Sequence, residues 1–377
     1  MGSMEWFMLQ EVARFRNESN IKTLSDYNKE EALRRLAPLI YLVIIFIIGI
    51  VGNTVVLIVY PLTFPRNTHR TFIVGLAISD LLVCLITIPF EIIEMRFQYT
   101  FYNVVACKVF RSLSYWFSLV SMIILIGSSY EKYRRICKPM KKQMTVKSCR
   151  MYIFTVFVLT LLFVWPNLLF GGIRLVKLSN NITGHDCSLS DDYAKTLFPV
   201  VSEGILLFFT IICICFLIVI YSIIGRRIYI QSSFRKQFET HSRDTNTNYD
   251  RPSLGIATTD SVHADAKKSK NTLEHVVSER VNKIQIRSVQ KLTKIVFVIS
   301  VVFVLSYIPH LTISLMTAIK GGFLLPPGPV VSAALPIIAR SFIINNVANP
   351  IIYGFMDSRF RKTCKFLLFK IFHCKQT

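Results

Sequence analysis

The residue most clearly placed to do chemistry is an aspartate inside an apolar run. Asp80 lies in the stretch 76–82, where every residue except Asp80 and Ser79 is Leu, Ala or Ile. Burying an ionisable group in hydrocarbon is costly, and such groups usually serve a function. Deep polar residues of other apolar runs are available as its partners: Asn53, Ser121, Asn345, Asn346 and Asn349.

A carboxylate surrounded by amides and a hydroxyl offers the oxygen ligands that a hard cation prefers. We therefore predict a sodium-type site, with Asp80, Ser121, Asn345 and Asn349 as its ligands. The alternative is that the polar side chains only hold helices together, at about 0.6 kcal/mol for each hydrogen bond between helices. No other metal or cofactor is expected.

Seven apolar runs would have to position these residues. Of the 377 residues, 52% are hydrophobic and the mean hydropathy is +0.47, which is more apolar than a usual soluble domain. The runs cover residues 38–60, 71–95, 105–136, 151–170, 197–224, 295–319 and 330–355. Crossing about 30 Å of hydrocarbon takes about 20 helical residues. The predicted fold class is therefore an all-α membrane protein, a seven-transmembrane helix bundle.

The charge distribution orients this bundle. The chain has 44 Lys and Arg against 22 Asp and Glu. In a soluble protein this balance would suggest nucleic acid, but here the bases lie mainly in alternate segments between the runs. These are Arg66, Arg70, Arg134, Arg135, Lys138, Lys141, Lys142, Lys147, Arg226, Arg227, Arg287, Lys291, Lys294, Arg359, Arg361, Lys362 and Lys365. The positive-inside rule puts the C-terminus in the cytosol and the N-terminus outside, although the N-terminal segment is itself basic.

The outer segments carry sequence features of an oxidising compartment. Two glycosylation sequons begin at Asn17 and Asn181, and both fall on the side assigned as extracellular. Cys107 lies at the outer end of the third run, and Cys187 lies in the outer loop between the fourth and fifth. We therefore expect both asparagines to be glycosylated and the two cysteines to form a disulfide.

The domain organisation follows from the same orientation. Residues 1–37 are predicted to be an extracellular segment, 38–356 the transmembrane domain, and 357–377 a cytoplasmic helix and tail. Within the domain, the polar stretch 231–285 is predicted to be a disordered cytoplasmic loop. In the tail, Phe360, Cys364, Leu367 and Ile371 recur at helical spacing among bases. This predicts a short amphipathic helix on the inner membrane surface, with Cys364 and Cys374 as lipidation sites.

Together these features resemble the rhodopsin-like G-protein-coupled receptors, from about Pro38 to Cys374. Gly52-Asn53 is similar to the family's first-span signature, 76–80 to the second, and 349–353 to its N-P-x-x-Y motif. Cys107 and Cys187 match the family's usual disulfide. The sequences of residues 306–310 and 339–346 also resemble those of invertebrate neuropeptide-type receptors.

The resemblance implies a plasma-membrane receptor that binds an extracellular ligand and activates a heterotrimeric G protein, with arrestin and a receptor kinase as further partners. The implied coupling residues are Glu131, Lys132, Tyr133, Tyr221, Asn349, Pro350 and Tyr353. The chain departs from the family where Lys132 replaces the arginine of D-R-Y and Tyr307 replaces the tryptophan of C-W-x-P. The usual fourth-span tryptophan and fifth-span proline are also missing. These departures put the efficiency of coupling in question.

Comparison with the family's patterns also narrows the chemical class of the ligand. Ser114 stands where amine receptors carry an aspartate, and Ile343 stands where opsins carry a lysine. The ligand-binding residues we predict in the outer half are Glu91, Glu94, Arg111, Ser114, Glu203, Tyr307, His310 and Arg340. Charges of both signs suit a peptide ligand. The alternative is that these side chains pair with one another and never touch a ligand.

Other functional classes fit the sequence less well. A transporter or channel would be expected to carry internal repeats and several deep charges. A membrane enzyme would need a cluster of metal ligands or a nucleophile, and the sequence has no H-E-x-x-H motif; we expect no enzyme activity. A receptor-like protein that binds ligand with weak or no G-protein coupling remains an alternative because of the Lys132 and Tyr307 departures.

Overall fold

The protein is a bundle of membrane-spanning helices. A computed structural model describes residues 22–246, 291, 293–320 and 328–373. Within them, six helices are long and apolar enough to cross a bilayer: Leu36–Thr63, Thr68–Arg96, Val104–Cys137, Val146–Phe170, Phe198–Ile230 and Thr293–Ile319. A seventh span consists of Ala333–Ala339 and Phe342–Met356, with a 68° bend between them. The predicted seven-helix fold is confirmed, and we number the spans one to seven in this order.

Of the six continuous spans, the second and third are the most buried and the fourth is the least buried. Large apolar side chains such as Ile47 and Ile218 remain exposed on the outer faces of the helices. Exposed apolar surface of this kind suits helices whose solvent is lipid. The polar side chains of the second and third spans are therefore enclosed by protein.

The second span contains one wide turn. An α-helix over Thr68–Leu82 changes to a π-helical segment, Val83–Thr87, and α-helix resumes at Ile88–Arg96. The segment lies just before Pro89, which has no N–H to donate and crowds the preceding turn. Because a π-turn holds one extra residue, it shifts the face of the helix that follows. The outer third of the span carries Glu91 and Glu94, and both are buried in the bundle.

The seventh span is broken, where the sequence predicts one continuous run. The helix Gly328–Ala339 contains Pro336, and the chain turns at Arg340 and Ser341 before the next helix begins. Two side chain–backbone contacts connect this break to the sixth span. His310 Nδ1 lies 2.5 Å from the Ala339 carbonyl oxygen, and Ser341 Oγ donates to the carbonyl of Ser306 at 2.6 Å.

Two elements that were not predicted lie at the outer end of the bundle. A helix precedes the first span (Leu24–Arg34), and its first turn is capped reciprocally by Thr23 and Asp26. The loop between the fourth and fifth spans folds into an antiparallel hairpin of β1 (Gly171–Lys177) and β2 (Thr183–Leu189). Cys187 of β2 is joined to Cys107 of the third span, which confirms the expected disulfide.

The inner end corrects one prediction. The helix of the fifth span runs from Phe198 to Asn246, so residues 231–246 are helical rather than part of a disordered loop. No proline or glycine interrupts residues 231–246, and a polar helix that leaves the membrane needs no apolar face to continue from an existing one. The remainder of the predicted loop, 247–285, lies outside the described residues.

A helix over Ser358–His373 follows the seventh span, where the sequence predicts the amphipathic helix. Phe360 of this helix is buried against Tyr60, with their ring centroids 5.6 Å apart. Cys364 is partly buried, and Cys374 lies outside the described residues.

Candidate functional site

A cavity of about 440 Å³ opens among the outer ends of the helices. Its walls come from the second to the seventh spans, with the hairpin and the N-terminal helix at its rim. All eight predicted ligand-binding residues line it: Glu91, Glu94, Arg111, Ser114, Glu203, Tyr307, His310 and Arg340. The volume lies within the range of cavities that bind drug-sized ligands. The structure thus brings the eight residues together, and their contact with a ligand stays a prediction.

Four of these eight residues form one ion-pair network across three spans. Arg340 Nε donates to Glu91 Oε2 at 2.6 Å, and its Nη2 lies 3.6 Å from Glu94 Oε1. Arg111 Nη2 lies 2.7 Å from Glu94 and also donates to the Cys187 carbonyl at 2.7 Å. Buried charges are stable only when paired and hydrogen-bonded. For these four residues, therefore, the structure shows the mutual pairing that the sequence left open as an alternative.

The other four predicted residues form hydrogen bonds to uncharged groups and lie outside the ion-pair network. Glu203 Oε1 accepts a hydrogen bond from Tyr115 at 3.0 Å, and Ser114 donates back to its own helix at the Phe110 carbonyl. Tyr307 donates to the Ser118 carbonyl at 3.2 Å. This bond joins the sixth span to the third at the wall of the cavity.

The rim of the cavity contains residues that the sequence analysis missed. Arg35 at the end of the N-terminal helix bonds Glu31 at 2.7 Å and also Gln98, which in turn donates to Asp186 of β2 at 2.5 Å. Burial raises the pKa of the Asp186 carboxyl above its ordinary value, against the opposing effect of nearby arginines. One local feature of the sequence could have predicted the N-terminal helix. Residues 23–26 follow the capping-box pattern of a helix start, with aspartate at the last position.

Deeper in the bundle, Asp80 lies at the centre of a polar cluster. The side chain is fully buried; Ser121 Oγ donates to its Oδ1 at 3.0 Å and Asn349 Nδ2 donates to its Oδ2 at 2.6 Å. The Oδ1 atoms of Asn345 and Asn349 are buried without a hydrogen-bond partner among the described residues. Asn53 instead donates to the carbonyls of Gly49 and Asn346. Two of the three other predicted ion ligands, Ser121 and Asn349, therefore contact Asp80 directly. The Oδ1 atoms of Asn53 and Asn346 are also buried without a partner among the described residues.

The inner end of the third span holds a second buried ion network. Glu131 lies 2.7 Å from Lys132 and 2.6 Å from Arg135, and it accepts a hydrogen bond from Thr68 of the second span at 2.6 Å. Lys132 is 1% exposed. The lysine that replaces the family's usual arginine is thus held by its neighbour in the sequence. Tyr133, a third predicted coupling residue, lies beside Lys138, whose Nζ is 5.5 Å from its ring centroid.

A hydroxyl bridge connects three spans at the same level. The Tyr221 hydroxyl lies 2.9 Å from Ser129 Oγ of the third span and accepts from Ser300 of the sixth at 3.3 Å. The sequence has no Asp or Glu in residues 281–300, around the inner start of the sixth span, that could form an ion pair there. The structure joins the third, fifth and sixth helices through neutral hydroxyls.

The predicted N-P-x-x-Y segment packs against the first span. Tyr353 is buried, and its ring centroid lies 5.3 Å from that of Tyr60. The Pro350 ring leaves no space for a side chain at residue 52, because a Cβ atom added to Gly52 would lie 2.8 Å from Pro350 Cβ. Gly52 therefore allows the first and seventh helices to touch.

Comparison with known proteins agrees with this geometry. A family model described as the 7 transmembrane receptor (rhodopsin family) matches residues 52–353. The chain is 24% identical to a cholecystokinin receptor of Xenopus laevis over 343 residues, or 85% of this chain and 74% of that protein. It is 26% identical to neuromedin-U receptor 1 of Mus musculus over 351 residues, which cover 89% of this chain and 74% of that receptor. It is 24% identical to the cholecystokinin receptor type A of Cavia porcellus over 346 residues, which cover 84% of this chain and 77% of that receptor.

Proposed function

The chain belongs to the rhodopsin family of seven-transmembrane receptors, and on this premise we propose that it is a plasma-membrane receptor for an extracellular peptide that activates a heterotrimeric G protein. The observation that carries the proposal is the outer cavity, where charges of both signs line about 440 Å³. Cholecystokinin and neuromedin U, which name the receptors it is similar to, are peptides. Receptors of this family are not enzymes.

The proposed orientation places the cavity on the extracellular side. The N-terminus lies outside, and the Cys107–Cys187 disulfide holds β2 over the third span in an oxidising compartment. Asn181 is exposed in the turn between β1 and β2, with its φ at 58°, so a glycan attached there would point away from the bundle. Asn17, the second proposed glycosylation site, precedes the described residues.

A sodium ion is proposed as an allosteric ligand of the Asp80 cluster. The fit rests on donor chemistry: a carboxylate, the Ser121 hydroxyl, and the buried unpaired Oδ1 atoms of Asn345 and Asn349. An ion bound there would neutralise the aspartate in a site closed to water. The protein's own residues position the carboxylate through Ser121 and Asn349, which tie it to the third and seventh spans.

The cytoplasmic side supplies the proposed coupling surface. Agonist binding favours an arrangement in which the Tyr221 bridge opens and the sixth helix moves away from the third. Lys132, Tyr221 and Arg135 then line a cleft for the G protein. Arrestin and a receptor kinase are proposed as further partners of this surface, and lipidation of Cys364 and Cys374 as an additional membrane anchor.

Two measurements in cells test the proposal: GTP exchange on the G protein and solute flux. The full chain is expressed and exposed to a library of peptides, amines and lipids while both are measured. We expect peptides to raise exchange and the other two classes to leave it unchanged. Activation by amines or lipids alone would contradict the peptide proposal, and solute flux without GTP exchange would favour a transporter.

One alternative is a receptor that binds peptides with weak or no coupling. It is favoured by Lys132, since an ammonium lacks the planar fork with which arginine grips a carboxylate or carbonyl. Peptide binding to isolated membranes without any increase in GTP exchange would establish this alternative.

A further inference from the structure

One acid of the outer cavity differs from the others in how its charge is balanced. Of the acids among the described lining residues, Glu31, Glu91 and Glu94 form salt bridges with Arg35, Arg340 and Arg111. Asp186 accepts from Gln98 and lies in the field of several arginines. Glu203 has Tyr115 as its hydrogen-bond partner at 3.0 Å and forms no salt bridge with a lysine or arginine of the described residues.

The imbalance has a consequence for ligand charge. The guanidinium groups of Arg111 and Arg340 are already held by carboxylates at 2.6–2.7 Å. A ligand anion would have to compete with those carboxylates. A ligand cation would meet a Glu203 carboxylate that lies in the field of Arg111 but forms no salt bridge with a described residue. A carboxylate–cation pair is stronger inside a cavity than in water because the local dielectric is low.

Resting on the proposed function, we propose that the Glu203–Tyr115 pair is the subsite for a cationic group of the peptide, an ammonium or a guanidinium. The charged group binds the carboxylate of Glu203 on the fifth span while the Tyr115 hydroxyl holds that carboxylate in place. The arginines of the ion-pair network remain bound to Glu91 and Glu94.

The walls below this subsite specify the neighbouring part of the ligand. Residues three or four apart lie on the same face of a helix. Leu206 therefore lies one turn deeper than Glu203, and Leu119 one turn deeper than Tyr115; all four line the cavity. Met122 adds to the apolar floor. The ligand preferred by this arrangement carries a basic residue adjacent to a bulky apolar residue that points toward the floor.

The test uses the full chain in cell membranes and a positional-scanning library of amidated hexapeptides. Each position carries Arg, Lys, Asp, Glu or a neutral residue, and both GTP exchange and thermal stabilisation are measured. We expect active peptides to require Arg or Lys at one position. Glu203→Gln should weaken the basic peptide at least about tenfold and leave its neutral analogue unchanged. Glutamine is isosteric and can still accept from Tyr115, so a purely structural role would not produce this charge selectivity.

Further variants sharpen the assignment. Glu203→Asp should retain a preference for basic peptides, and Glu203→Lys should move the preference to Asp or Glu at the same position. Asp192→Asn is the matched control, because Asp192 is an exposed extracellular acid that is not among the lining residues; it should change nothing. Equal weakening of basic and neutral peptides by Glu203→Gln would overturn the subsite. A charge preference lost in Glu94→Gln but kept in Glu203→Gln would do the same.

A parallel series separates this inference from the peptide proposal. Phenylalkyl guanidines and their neutral urea isosteres are compared for stabilisation of the detergent-solubilised chain. If no peptide acts but the guanidines stabilise the wild type more than the ureas, and Glu203→Gln removes the difference, the subsite holds and the peptide proposal fails. If guanidines and ureas behave alike in the wild type, the subsite is refuted whatever peptides do.

Discussion

Breaking the Glu91–Arg340 pair should destabilise the receptor measurably. The two side chains are 8% and 13% exposed, and their atoms meet at 2.6 Å. Removing one partner of a buried pair costs about 3–5 kcal/mol. Glu91→Gln should cost less, about 2 kcal/mol, since the amide can still accept from the guanidinium and Glu94 remains 3.6 Å from it. For a bundle of this size, the apparent melting temperature should fall by about 2–4 °C.

The assay is thermal unfolding of the detergent-solubilised chain, followed with a thiol-reactive dye that reports exposure of buried cysteines such as Cys84. Adding Arg340→Met to Glu91→Gln should recover at least half of the fall in melting temperature that Glu91→Gln causes. The double variant leaves no uncompensated charge buried at this pair. Glu30→Gln is the control: its pair with Arg34 is exposed, so its loss should leave the melting temperature unchanged. A double variant whose loss equals the sum of the two single losses would refute the idea that these charges stabilise each other.

Three further outcomes follow from the inner half of the bundle. Tyr221→Phe removes the hydroxyl between Ser129 and Ser300, and loss of about 1 kcal/mol of hydrogen bonding should raise basal GTP exchange about fivefold; unchanged basal exchange would contradict the bridge. Asp80→Asn should abolish the difference in agonist affinity between sodium and choline buffers, and a retained difference would exclude Asp80 as the ion's ligand. Lys132→Arg should increase agonist-driven activation because it restores the planar guanidinium; an unchanged or lower response would show that the lysine is no handicap.

The spans were predictable because their signal is local. A run of about 20 apolar residues can be identified without knowing what packs against it. The same holds for the position of Asp80, whose partners on the third and seventh spans were chosen by their depth in the runs. Ser121 and Asn349 do contact it. Asn53 does not, because its amide reaches the backbone of the seventh span first.

Pairing between distant residues was not predictable from the sequence. Glu91 and Arg340 are separated by 249 positions, and their contact depends on the π-turn in the second span and the bend in the seventh. Both distortions lie close to prolines, Pro89 and Pro336. The sequence shows these prolines, but a proline alone does not determine the angle or direction of a kink. The N-terminal helix was missed for a different reason, since its apolar content is low. It is held at the outer end by the Asn28 side chain, which donates to the Arg96 carbonyl and accepts from the Tyr99 backbone N–H.

The Tyr307 departure connects the outer cavity to the Asp80 cluster. Tyr307 lines the cavity and donates to the Ser118 carbonyl, while Ser79 donates to the carbonyl of Phe117 in the same turn of the third span. Ser121, one turn further along, holds Asp80. A ligand that displaces the Tyr307 ring therefore pulls on the turn of backbone that positions the aspartate. Energetic coupling needs such contiguous contacts with an element that has two arrangements, and here the tyrosine hydroxyl supplies the contact at the position where the family usually carries tryptophan.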